Sequence, residues 1–265
     1  MSPGDEFTPP SPAPEPVPPP NFQQTPFDHS PLPQKGEVFW GWHDVFLFLA
    51  VTVLALGGAM LAGMGLRHAF KISEPHMNIV FVIAQFAAYA VSFACLKMMF
   101  QAEYGEPLLA SLHWIPVGIN PVRLAIVGLS QAFTIALIGA FMRMPNAENP
   151  MNRLLADRST AILIAILGVT IAPLAEELAF RGLLQPLLIR TIGVAPGIFV
   201  TSLLFGAMHL EQYGAWQSVV LITLAGMGFG AMRHWTGSSR ASAIMHAGYN
   251  SALFILFFTQ KAAHA

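Results

Sequence analysis

The sequence predicts an all-α fold: a polytopic membrane helix bundle of about eight membrane segments behind a disordered Pro-rich N-terminal tail. Three observations predict it. Hydrophobic residues make up 54% of the 265 and charged residues only 10%, with a mean hydropathy of +0.56, outside the soluble range. Apolar runs of about 20 residues recur without Asp, Glu, Lys or Arg, each long enough to cross a ~30 Å hydrocarbon core. Most of the few cations lie at the ends of those runs or between them, where loops belong.

Taken in order, residues 1–36 hold 12 of the 21 prolines and few large apolar side chains. Such a segment cannot bury enough surface to offset its ordering entropy, so a solvated tail with polyproline character is expected. It has neither a basic nor an apolar leader region, so insertion is expected to rest on the first membrane helix. The remainder, 37–265, is read as one transmembrane domain.

Residues 45–66, 77–96 and 124–142 are the first three predicted spans, with Trp40, Trp42 and Trp114 at interfacial depth beside them. Residues 143–159 read as a loop with a short interfacial helix, where Leu154 and Leu155 dip toward lipid. Residues 160–190 would measure roughly 46 Å as one straight helix, and Pro173 removes a backbone donor inside it. A break just before Glu176 is therefore expected, giving two elements. Three more spans follow at about 195–210, 216–234 and 240–259, with Gly237 turning between the last two. Gly226 and Gly230, four apart on one face, are expected to let a neighbouring backbone approach. With eight segments the loop cations favour one side, which puts both termini outside by the positive-inside rule.

Composition also excludes classes of function. The net charge of −1 offers no electrostatic footprint for nucleic acid. The single cysteine, Cys95, cannot form an internal disulfide and reads as a small core residue.

Chemistry is expected where ionisable groups persist at membrane depth, because each costs several kcal/mol unless paired. Glu177 and Arg181 are i,i+4 on a helix and suit an ion pair, whereas Glu176 points about 100° away and is left for a cavity. Burial raises a carboxylate pKa and a nearby cation lowers it, so Glu176 could be poised as a base. Equally, both glutamates could be charges at a helix end. His209, four residues after Phe205, could be a functional group or a hydrogen-bonded core histidine. His246 and Asn250 share a helix face, as two donors to one oxyanion or as glue between membrane helices. The other histidines, His43 among them, read as interfacial or solvated.

Together, Glu176-Glu177-x-x-x-Arg181, Phe205-x-x-x-His209 and His246-x-x-x-Asn250, in this order on separate helices, resemble the motifs of the CPBP intramembrane proteases, the CAAX protease and bacteriocin-processing (abortive-infection) family. Ala172-Pro173, Phe180-Arg181-Gly182 and Thr236-Gly237-Ser238 add to the likeness, which spans about residues 145–255. The resemblance implies an intramembrane endopeptidase acting near the membrane surface, of the kind that trims CAAX-type prenylated C termini. It implies Glu176 as general base, His209 on the same water, and His246 and Asn250 holding the oxyanion. Glu177, Arg181 and Phe205 would support the site. No cofactor is expected; zinc held by Glu176, His209 and His246 is the alternative, although the His-Glu-x-x-His spacing of zincins is absent. The implied partners are membrane lipids and a hydrophobic or lipid-anchored peptide or protein substrate, in the cell (inner) membrane of a prokaryote. The competing expectation is a non-enzymatic membrane scaffold or bacteriocin-immunity protein whose polar cluster only packs helices. A proton-relay transporter is disfavoured because no internal hydropathy repeat is visible.

Overall fold

The computed structural model describes residues 38–142 and 149–263, all of whose regular structure is helical. The expected disordered tail over 1–36 lies outside the described residues. Two long apolar helices come first: α1 (Trp42–Phe70) and α2 (Glu74–Met99), the latter running on as a π-helical turn, Phe100–Tyr104. They pack along each other, and α1 leaves Phe46, Leu54, Leu61 and Phe70 exposed, as lipid-bathed helices do. A short α3 (Leu108–Ser111) leads to α4 (Pro121–Phe141), whose start is set by Pro121 and by Asn120 accepting from the Val122 N–H.

After α5 (Pro150–Ala156) comes the predicted break, placed slightly earlier than expected. Helix α6 (Arg158–Val169) and helix α7 (Ile171–Glu177) meet at Thr170, and the axis bends by 42°. The cause is local. Pro173 lacks the N–H that would reach the Val169 carbonyl, and its ring crowds that carbonyl. Helix α7 then widens into a second π-helical turn, Leu178–Leu184, before α8 (Gln185–Ile192). The chain finishes with α9 (Val194–Met208), α10 (Leu210–Tyr213), α11 (Trp216–Thr236) and α12 (Ser239–Ala263).

The expectation of about eight membrane segments is wrong. Among the described residues, four helices are long and apolar enough to cross: Trp42–Phe70, His76–Tyr104, Pro121–Phe141 and Ser239–Ala263. Counting the bent pair Arg158–Val169 and Ile171–Ile192 as one span makes five. Helix α9 fails on length, because its 15 residues reach only about 22 Å. Helix α11 fails on hydropathy, carrying Gln217, Ser218, Thr223, Arg233 and His234. These two helices pack on each other and on the polar interior instead.

Close packing of α12 on α4 makes the main core: Leu124, Ala132 and Ile135 meet Met245 and Tyr249, with Phe229 and Met232 of α11 alongside. The approach depends on Gly128, where a Cβ would sit 1.8 Å from the Met245 carbonyl oxygen. Gly226 and Gly230 have a different use from the one expected. A Cβ at Gly226 would meet the Arg181 guanidinium at 3.1 Å, and one at Gly230 the Gln185 amide at 2.8 Å. They make room for polar side chains, which bond to the glycines' own carbonyls. Trp40 is buried in protein. It is 1% exposed, its indole N–H donates to the Leu183 carbonyl at 3.0 Å, and it pins the residues before α1 onto the second π-turn. Thr236-Gly237-Ser238 is the stop and restart between α11 and α12. Gly237 has φ +68°, and Ser238 Oγ both accepts from the Ala241 N–H and donates to the Ile115 carbonyl.

Candidate active site and its polar braces

The order of the chain brings Glu177, Arg181, Phe205 and His246 into one buried cluster, with Glu176 at its edge. Glu177 and Arg181 are fully buried, and Arg181 Nη1 donates to Glu177 Oε1 at 3.0 Å, the i,i+4 pair the spacing predicts. A buried pair of this kind is stable only if its other polar atoms are satisfied. Arg181 Nη2 donates to the Gly226 carbonyl at 2.9 Å, and its guanidinium lies 4.6 Å from the Phe205 ring centroid and 5.5 Å from that of Phe229. Ser242 donates its hydroxyl to Glu177 Oε2. Arg233 Nε donates to the Arg181 carbonyl at 3.2 Å, taking up a backbone acceptor in the π-turn, a local geometry that often marks functional positions.

His246 is 4% exposed and held on three sides. Its Nδ1 meets Glu177 Oε1 at 3.0 Å; the carboxylate accepts, so Nδ1 carries the proton. The ring stacks on Phe229 (centroids 4.3 Å, 19° between planes) and meets Phe205 edge-on at 5.8 Å. The remaining nitrogen, Nε2, lies 3.8 Å from Glu176 Oε2. Glu176 is 24% exposed, and among the described residues no cation other than His246 lies within ion-pair distance of it. The two neighbouring carboxylates therefore differ in kind: Glu177 is saturated by Arg181, Ser242 and His246, whereas Glu176 has a free face.

His209 ends α9, where its Nδ1 donates to the Phe205 carbonyl at 2.8 Å, leaving Nε2 unprotonated in the neutral ring. Its ring contacts Phe205 at 4.8 Å, so Phe205 separates His209 from Arg181 and touches both. Asn250 lies one turn after His246 on α12, and its amide donates to the Gly168 carbonyl at 2.7 Å, near the bend between α6 and α7. That bond ties α12 to the broken helix. Ser242, Phe229 and the Gly226 carbonyl have no part in the sequence reading. Only Ser242 left a signal there, one turn before His246 on the same helix.

The donors of Glu176, His209 and His246 do not gather as a metal-ligand set. Among the described residues, the group of three whose ligand atoms all lie within 4.8 Å of one another is His43, Asp44 and Glu103. This cluster can coordinate a metal ion. It lies where the first turn of α1 meets the π-helical end of α2, with His43 Nε2 3.1 Å from Asp44 Oδ2 and 3.5 Å from Glu103 Oε1. Buried Asp44 also accepts from the Gly41 N–H at 2.7 Å and from the Tyr104 hydroxyl at 3.0 Å, so it caps α1 as well. The sequence reading had His43 as interfacial or solvated. Glu103 is too remote in sequence for the grouping to be visible there.

The buried Glu–Arg–His cluster and the freer glutamate beside it lie within an apolar multi-helix bundle. Residues 158–252 match the family model described as Rce1-like, type II CAAX prenyl endopeptidase Rce1-like, so this part of the chain is a Rce1-like domain. It contains all three motifs. No curated protein and no solved structure matches the chain.

Proposed function

We propose that the protein is an intramembrane endopeptidase, hydrolysing a peptide bond near the membrane surface in a hydrophobic or lipid-anchored substrate in a prokaryotic cell membrane. One observation carries the reading: of two adjacent carboxylates, Glu177 is spent on Arg181 and His246, while Glu176 keeps a free face 3.8 Å from His246 Nε2. That is the division of labour water activation needs. Glu176 takes a proton from a water whose other contact is His209 Nε2. The water oxygen adds to the scissile carbonyl carbon, and the carbonyl pair moves to oxygen. His246, protonated on both nitrogens and held by Glu177, donates Nε2–H to that oxyanion, together with the amide hydrogen of Asn250 that Gly168 does not use. Glu176 then returns its proton to the leaving amine as the C–N bond breaks. Residues away from the water-accessible edge exclude solvent, which strengthens each of these charge–dipole contacts.

Zinc on Glu176, His209 and His246 fits less well, because their donor atoms do not close to within 4.8 Å as a set. The proposed reaction therefore runs without metal at this site. Incubating purified protein in bilayers with a library of transmembrane and lipid-anchored peptides, with and without chelator, tests the reading. New C termini that persist in chelator are expected. A folded protein that cleaves nothing would leave the polar cluster as helix packing alone.

A further inference from the structure

The oxyanion in the proposed reaction has one firmly aimed donor, His246, because Asn250 already gives one amide hydrogen to Gly168. A third side chain stands beside His209. Tyr213 is i,i+4 from His209, and its backbone N–H donates to the His209 carbonyl at 3.2 Å. It therefore continues the face on which Phe205 and His209 point into the cluster. Its ring runs nearly parallel to that of His209 (19°, centroids 6.5 Å). Helix α10 ends there because Gly214 takes φ +67°, which fixes Tyr213 as the last helical residue. Among the described residues the Tyr213 hydroxyl has no hydrogen-bond partner, and the residue is half-buried. It lies within electrostatic reach of Glu176 on α7 and of the Tyr249 phenol on α12. Tyr213 thus stands beside His209, the residue that the proposed reaction puts on the water.

We infer that Tyr213 is a further catalytic residue, its hydroxyl donating a hydrogen bond to the oxygen that becomes anionic when water adds to the scissile carbonyl. The inference rests on the peptidase reading. The phenol is suited to the role. Burial, and then the negative charge of Glu176, push its pKa up, so it stays an O–H donor beside the very carboxylate that acts as base. It gives up no proton. The carbonyl pair moves onto oxygen as the water C–O bond forms, the hydrogen bond from the phenol to that oxygen shortens, and it relaxes when the amine leaves with the proton from Glu176. A donor used only in the tetrahedral state contributes to kcat and not to ground-state binding.

The test uses the full chain in bilayers, with Tyr213→Phe and Tyr213→Ala assayed on a peptide that the wild type cleaves. Tyr213→Phe keeps the ring against His209 and removes only the donor. Its kcat should fall about 10²–10³-fold with KM nearly unchanged. Affinity for a peptide difluoromethyl ketone, whose hydrate mimics the tetrahedral state, should fall by a similar factor. Wild-type turnover in Tyr213→Phe together with lost turnover in Tyr213→Ala would overturn the inference, leaving the ring as a prop for His209. An equal loss of KM and kcat at unchanged analogue affinity would overturn it too. A folded wild type that cleaves no peptide at all refutes the peptidase reading first, and this inference with it.

Discussion

Arg181→Ala should unfold the bundle more readily than any loss of catalysis would suggest. Arg181 is fully buried and makes three kinds of contact at once: the 3.0 Å pair with Glu177, the 2.9 Å bond to the Gly226 carbonyl, and its position over Phe205 and Phe229. Truncation takes the permanent cation from a buried carboxylate and leaves it only Ser242 and His246, which costs up to about 3–5 kcal/mol. It also removes a charged donor to the Gly226 carbonyl, worth about 1–3 kcal/mol, and the cation–π contacts add about 1–2 kcal/mol when desolvated. These terms share one side chain and do not add fully, so a loss of about 4–6 kcal/mol is expected. Reversible denaturation in mixed micelles would measure it, alongside Glu177→Gln and the double variant Glu177→Gln/Arg181→Met. Removing both charges should recover much of the loss, because what destabilises is the charge left behind rather than the missing pair. If Arg181→Ala unfolds within about 1 kcal/mol of wild type, or the double variant is no better than the single one, the network described here does not hold the site.

Two other substitutions test the scaffold around the cluster. Gly128→Ala forces a Cβ to within 1.8 Å of the Met245 carbonyl oxygen, so α12 must shift off α4, at a cost of about 1–3 kcal/mol or more; a lowered thermal midpoint in nanodiscs checks this. Trp40→Phe removes the indole N–H that donates to the Leu183 carbonyl and leaves a void at a buried site, for about 1–3 kcal/mol by the same denaturation assay.

The Glu177–Arg181 pair was legible because a helix face is written in four-residue spacing, and the break near Pro173 because a missing N–H has a fixed reach of one turn. The span count was not. Counting apolar runs treats α9 and α11 as lipid-exposed, although one is too short and the other carries Arg233, His234 and several hydroxyl groups that protein contacts cover. Glycine spacing on α11 indicated a close approach but not by what: an arginine and a glutamine, rather than a backbone. The burial of Trp40 was not legible, because nothing in the sequence connects it to Leu183, 143 residues away. The His43–Asp44–Glu103 grouping and the Asn250–Gly168 bond were hidden for the same reason. Local periodicity reports a face and never what the face meets.

The account turns on Glu176 as the group that activates water in a pocket shared with His246. The most direct measurement is hydrolysis of a cleavable hydrophobic peptide in water enriched in oxygen-18, comparing wild type with Glu176→Gln in the same bilayers. The account predicts that the wild type places one heavy oxygen in the new C terminus. Glu176→Gln, nearly isosteric and equally stable, should yield no product above background. Product formation at the wild-type rate by Glu176→Gln would contradict it.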